Sequence, residues 1–192
     1  PGVAIELPFR AGIWQASPRA AIFPHTLIIA EPGSSVTYIE AYGSETQTEQ
    51  ALSNHAVEIF VKQGARLTFV TLQDYGRHVY SLGAQRALLE RDAELQWVIG
   101  ALGGKLTKTH HELFLEGPGA SANIHGFYFA DGNQHLDHHM QQEHRAAHTT
   151  SDLLFKGVLK DRARTVYQGL IHVHKNAQRT DAYQANRNLL LS

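Results

Sequence analysis

Short apolar segments that alternate with polar residues recur along most of the chain, and the alternation has a period of two. Val, Ile, Thr, Tyr and Phe are frequent within these segments, as is typical of β-strands. Helical periodicity is weak, although residues 86–91 and 141–147 have the composition for one or two helical turns. The chain is therefore predicted to be all-β. The predicted strands are residues 27–29, 36–39, 57–61, 67–72, 87–89, 95–99, 113–115, 123–129, 153–159, 164–173 and 183–191.

Compact turns rich in small residues separate the predicted strands. Ala65, Ala93 and Ala120 occupy equivalent turn positions at nearly equal spacing along the chain. Strand, tight turn, strand and return make up one coil of a β-solenoid, in which each coil buries its apolar stripe by stacking on its neighbours. Ala163 and Ala177 are separated by only half that spacing, which we interpret as later coils with shorter returns. The pattern alone also fits an antiparallel sandwich or a cupin-like barrel, and these alternatives stay open.

The composition is that of a single globular domain of 192 residues, with 43% apolar and 18% charged residues. Lys and Arg number 17 against 18 Asp and Glu, so we predict no nucleic-acid partner. No apolar run approaches the roughly 20 residues that cross a bilayer, so we predict no membrane span. Cysteine is absent, which excludes disulfides and a conventional iron–sulfur cluster held by this chain alone. A cysteine-free chain also fits a reducing cytoplasm.

Histidines are concentrated between His135 and His148, where five of the 13 in the chain are found. On a strand, His135, Asp137 and His139 would share one face, and His144 lies close by in the sequence. Imidazole and carboxylate are ligands for zinc and ferrous iron, so these four residues are our candidate metal ligands. Hydrogen-bonded histidines in a polar loop are the alternative interpretation.

A second histidine pair, His172 and His174, places two rings on one strand face, as in cupin metal sites. The further ligands that such a site needs cannot be assigned from the sequence. Nucleophile-elbow, P-loop and dinucleotide-binding motifs are all missing, so we predict that the chain is not an enzyme. The alternative is a metal-dependent or carbohydrate-acting β-fold enzyme that uses the cluster between His135 and His148.

Five ordered motifs stand out in the second half of the chain. They are L-x-G-x-G-A from Leu115, F-A-D-G-N-Q-H-L-D-H-H from Phe129, H-T-T-S-D-L-L-F-K-G-V-L from His148, V-Y-Q-G-L-I-H-V from Val166 and A-Q-R-T-D-A-Y-Q-A-N-R-N-L-L-L-S from Ala177. Together they resemble the core domain of the SufB/SufD family of iron–sulfur cluster assembly proteins, and R-D-A-E-L-Q-W from Arg91 fits the same family. Asn186 stands where SufB-like members carry a cysteine, which favours the SufD branch.

The resemblance implies a right-handed parallel β-helix that works as a non-catalytic scaffold. It implies a heterodimer with SufB through the β-helix core and contact with the SufC ATPase through a region that is absent here. The iron–sulfur cluster would then be handled by the assembled complex. We expect residues 1–192 to be one core domain, truncated at both ends, with flanking helical regions and the last coils missing. An apolar strand at residues 189–191 predicts an open edge, which would let two copies of the chain pair as a homodimer.

Overall fold

A computed structural model describes residues 7–191 of the chain, so residues 1–6 and 192 of the predicted domain lie outside the described part. Between residues 7 and 191 the regular structure consists of fourteen β-strands and no helix. The strands are β1 Phe9–Gln15, β2 Ala21–Ile22, β3 His25–Ala30, β4 Ser35–Ser44, β5 Ala51–Val61, β6 Arg66–Asp74, β7 Val79–Leu89, β8 Glu94–Ala101, β9 Leu106–Leu115, β10 Ser121–Ala130, β11 His135–His144, β12 Thr150–Lys160, β13 Arg164–Val173 and β14 Asp181–Leu191.

Two parallel sheets face each other, and consecutive long strands belong to opposite sheets. The first sheet has the order β1-β4-β6-β8-β10-β12-β14, and the second has the order β13-β11-β9-β7-β5, with β2 and β3 both pairing with β5. One strand from each sheet makes one coil, and about six coils are stacked. Arg66 pairs with Glu94 and Glu94 pairs with Ser121, so a residue meets its counterpart one coil later. The predicted β-solenoid is confirmed, and the antiparallel sandwich is excluded because every ladder is parallel.

Alternate residues of each strand point into the space between the sheets and form the core. In β8, Leu95, Trp97 and Ile99 are buried while the residues between them face outward. The turn alanines Ala65 and Ala93 are fully buried, and Thr149, at the equivalent position of a later coil, is buried as well. Alternation with a small, buried turn residue therefore characterises these coils.

Each turn on one side of the solenoid contains a residue in the left-handed backbone conformation. Glycine adopts positive φ without a steric penalty, whereas side chains with a Cβ are disfavoured there. Three of the six turns nevertheless carry a non-glycine residue at this position. The six residues are Gly33, Gly64, Asp92, Gly119, His148 and Arg179.

Two interpretations of the sequence are wrong in detail. Ala163 lies in the turn between β12 and β13, whereas Ala177 lies in the turn between β13 and β14, so the two flank a single strand. The later coils are not shorter, since the pairing of Thr150 with Asp181 spans slightly more of the chain than an early coil does. Residues 86–91 and 141–147, the two candidate helical turns, belong mostly to β7 and β11. Ala87, Leu88 and Leu89 pair with the neighbouring coils in parallel ladders, whereas residues 145–147 lie in the turn after β11.

Candidate functional site

Three of the four predicted metal ligands, His135, Asp137 and His139, share one outward face of β11. Asp137 Oδ2 lies 3.1 Å from Lys108 Nζ, and Asp137 Oδ1 lies 3.1 Å from His139 Nε2. The His139 ring is stacked on His110, with 4.6 Å between ring centroids. The carboxylate of Asp137 therefore already contacts an ammonium group and an imidazole. Metal binding by His135, Asp137 and His139 stays a prediction.

His144, the fourth predicted ligand, lies inside the solenoid, where its side chain is fully buried. Its Nδ1 lies 2.8 Å from Thr149 Oγ1 and its Nε2 lies 2.9 Å from Ser151 Oγ. Burial lowers the pKa of His144, while the charge of Glu143 opposes this effect. Both ring nitrogens have hydrogen-bond partners, and the ring faces away from His135, Asp137 and His139. The structure thus separates His144 from the other three residues.

A different group of three residues is brought together at the end of β11. Glu143 is the register partner of His172 on β13, and His174 follows two residues later. Glu143 Oε2 lies 2.5 Å from His174 Nε2 and 3.0 Å from His172 Nδ1. Glu143 is only 5% exposed although it points outward, because the two imidazoles cover it. In the described part of the chain, this is the one group of three His, Asp or Glu residues with the spacing of metal ligands.

The Glu143 carboxylate is held in place from a second side. Gln141 Nε2 donates a hydrogen bond of 2.6 Å to Glu143 Oε1, which leaves Oε2 to face the two rings. Burial raises the pKa of Glu143, but the hydrogen bonds from His174 and Gln141 outweigh that effect, so the pKa lies below its ordinary value. The group is therefore an oriented, ionised carboxylate beside two imidazoles.

Buried histidines also occupy the middle of the solenoid. Burial lowers the pKa of His55 and of His138 to about 4, and it lowers the pKa of His111 well below its ordinary value. These rings border a cavity of about 20 Å³, which has room for about one water molecule. His138 and His111 also belong to a column of rings whose neighbouring centroids lie 5.3 to 6.3 Å apart. The column consists of Tyr38, Phe69, Trp97, His111, His138, Phe155 and Tyr167.

The last coil presents two unpaired strand edges in the described structure. β14 pairs with β12 only, and β13 pairs with β11 only. Leu189, Leu190 and Leu191 are exposed at the end of β14, as expected for this apolar strand. Exposed parallel edges have backbone donors and acceptors that another strand can use.

Comparison with known proteins identifies the family. The family model described as "SUF system FeS cluster assembly, SufBD core domain" matches residues 13–192. The chain belongs to the SufB/SufD family. It is 33% identical over 177 residues to an iron–sulfur cluster assembly SufBD family protein of Mycobacterium leprae, and the alignment covers 92% of this chain and 20% of that protein. It is 31% identical over 177 residues to the iron–sulfur cluster assembly protein SufB of Bacillus subtilis, with 92% of this chain and 38% of that protein covered.

The SufB/SufD chain spans about a fifth to two-fifths of the length of these curated relatives. A SufBD family protein of Staphylococcus saprophyticus is similar to the same extent, at 31% identity over 176 residues. Relatives named SufB and relatives named only as SufBD family members match about equally well, so identity alone does not assign the chain to the SufB or the SufD branch. Within residues 7–191 there is no helix that could span a membrane.

Proposed function

We propose that the chain is the core of a non-catalytic scaffold subunit for iron–sulfur cluster assembly in the cytoplasm. The observation that carries the proposal is the family match over residues 13–192, on a fold built wholly of stacked parallel coils. The lack of cysteine supports a role in which the cluster is held by an assembled complex rather than by this chain alone. A net charge of −1 gives no support for a nucleic-acid partner.

We assign the subunit to the SufD branch, with SufB as its heterodimer partner and the SufC ATPase as the third component. Asn186, which stands where SufB-like members have a cysteine, supports this assignment. The family match over residues 13–192 supports a heterodimer through the β-helix core.

The test is co-expression of the full-length protein with SufB and SufC, followed by native mass spectrometry of the purified assembly. We expect one complex that contains all three proteins. For the 192-residue chain alone, a double variant, Leu189→Lys with Leu190→Lys, should weaken pairing at the open edge by placing two charges on it. The matched control is Phe23→Lys, a similarly exposed apolar residue in the first coils, and it should leave that pairing intact.

Failure of the parent protein to associate with SufB would overturn the scaffold proposal. A hydrolase activity abolished by His135→Ala with His139→Ala would instead establish the enzyme alternative. The 192-residue chain can also be examined alone, because its open edges would allow a homodimer. A concentration-dependent dimer in sedimentation, lost in the Leu189→Lys and Leu190→Lys variant, is the expected result for edge pairing.

A further inference from the structure

The carboxylate of Glu143 and the rings of His172 and His174 converge on one point at the edge of the second sheet. The three ligand atoms lie within 4.8 Å of one another, and the two ring centroids are 4.2 Å apart. The parallel register creates this arrangement, since it sets Glu143 beside His172 across the β11–β13 ladder. His174 comes from the same side of the chain two residues later, where β13 has just ended.

We propose that Glu143, His172 and His174 form a binding site for one divalent transition-metal ion, of the kind that zinc and ferrous iron represent. Two imidazole nitrogens and one carboxylate oxygen are a preferred ligand set for these ions, whereas magnesium and calcium prefer oxygen ligands only. The set leaves coordination positions open to water or to an incoming ligand. This proposal does not depend on the proposed partners.

The distances fit a site that is closed by hydrogen bonds until the ion enters. Ligand atoms that share one zinc ion lie roughly 3.4 Å apart in tetrahedral geometry. The two Glu143 Oε2 to nitrogen distances are 2.5 Å and 3.0 Å, so each needs to open by less than about 1 Å. Both imidazoles are partly exposed, with side-chain exposures of 53% for His172 and 38% for His174, so their rings can rotate without disturbing the core.

Among residues 7–191, the Glu143 carboxylate makes ion pairs only with the two imidazoles. Gln141 holds the second carboxylate oxygen of Glu143, which is the outer-sphere contact that orients a ligating carboxylate. The guanidinium of Arg145 turns toward the preceding coil, where it pairs with Glu116 at 2.6 Å and lies 4.5 Å from the Phe114 ring centroid. The predicted group around Asp137 differs in this respect, because an ammonium group already contacts its carboxylate.

The experiment uses the full-length protein with a tag free of histidine, and Co²⁺ as the optical probe. We expect one Co²⁺ per chain with visible absorption of a nitrogen- and oxygen-ligated ion, displaced by Zn²⁺ and not by excess Mg²⁺. The double variant His172→Ala with His174→Ala should lower the affinity by about a hundredfold or more, and Gln141→Leu should lower it by about tenfold. Circular dichroism and the thermal midpoint of each variant check that it is folded.

The matched control is His135→Ala with His139→Ala, which removes two histidines from the outer face of the adjacent strand and should keep the Co²⁺ spectrum. Glu143→Gln provides a second variant that keeps both imidazoles and should also abolish the spectrum. Three results would overturn the proposal. The first is that the parent protein does not bind Co²⁺ stoichiometrically. The second is that both double variants lose Co²⁺ binding equally. The third is that only the variant at His135 and His139 loses Co²⁺ binding.

Discussion

Acid should destabilise this protein through the histidines that it buries in neutral form, and His138 offers the sharpest test. Burial lowers the pKa of His138 to about 4 from an ordinary value of 6.5, and the neighbouring charges of Asp137 and His139 act in opposite directions on it. The folded protein therefore stays unprotonated at this ring while the unfolded chain takes up a proton. The contribution of the neutral ring to the free energy of unfolding is fully present well above pH 6.5 and is lost as the pH falls toward 4.

The size of the effect follows from the two pKa values. Between pH 7 and pH 5, one imidazole that titrates only in the unfolded chain lowers the free energy of unfolding by about 2 kcal/mol. His55 has the same lowered pKa, so the two rings together remove about 4 kcal/mol over this range. His111 contributes in the same direction. This is a large fraction of the stability of an ordinary domain, which is about 5 to 15 kcal/mol.

The variant His138→Gln has no titratable group at this position. Its free energy of unfolding should therefore decrease between pH 7 and pH 5 by about 2 kcal/mol less than that of the parent. Urea denaturation followed by circular dichroism at both pH values measures the difference, provided that the m-value is unchanged. The control is Phe155→Leu, which destabilises the contact with the His138 ring, 5.6 Å away, without removing a proton site. Equal losses in the parent and in His138→Gln would refute the assignment of a neutral buried ring.

Three further substitutions test the packing of the coils. Gly126→Ala places a Cβ 2.3 Å from ring atoms of Phe155 and should lower the free energy of unfolding by about 2 kcal/mol in urea denaturation. The control Gly12→Ala has no atom within 4 Å of its Cβ and should leave this free energy unchanged, so similar results for both would contradict the close approach. Arg179 has a φ of 61°, which glycine adopts without a steric penalty. Arg179→Gly should therefore raise the free energy of unfolding by about 1 kcal/mol and raise the thermal midpoint, and a lower midpoint would contradict this expectation. Trp97→Leu leaves a cavity in the fully buried core and should lower the free energy of unfolding by about 2 to 3 kcal/mol in urea denaturation. A decrease below about 1 kcal/mol would contradict this expectation.

The strands could be predicted from the sequence because period-two alternation is a local property. The turn alanines gave the coil length for the same reason, since Ala65 and Ala93 occupy the same place in successive coils. Pattern alone could not separate a parallel solenoid from an antiparallel sandwich, because both bury one face of each strand. The difference between the two folds lies in which residues pair between neighbouring strands, such as Arg66 with Glu94, and the sequence of one strand does not specify its partner.

The candidate site was only partly predictable. Strand alternation placed His135, Asp137 and His139 on one face correctly, and the same rule would have put His144 on the opposite face. The pair His172 and His174 was recognised, but Glu143 was not assigned to it, because the two strands are separated by a whole coil. Once the coil length is known, the separation of Glu143 and His172 by one such length is the signal that could have linked them.

Ladders that join only consecutive coils also determine how this protein should open. Within residues 7–191 each long strand pairs only with strands one coil before or after it, so local unfolding can begin at a terminal coil and advance one coil at a time. In the 192-residue chain, backbone amides of the edge strands β1, β13 and β14 should exchange with deuterium before those of the central strands β7 and β9. Hydrogen exchange followed by mass spectrometry would then show a gradient of protection along the chain. A partner bound to the last coil would slow the exchange of β13 and β14 most.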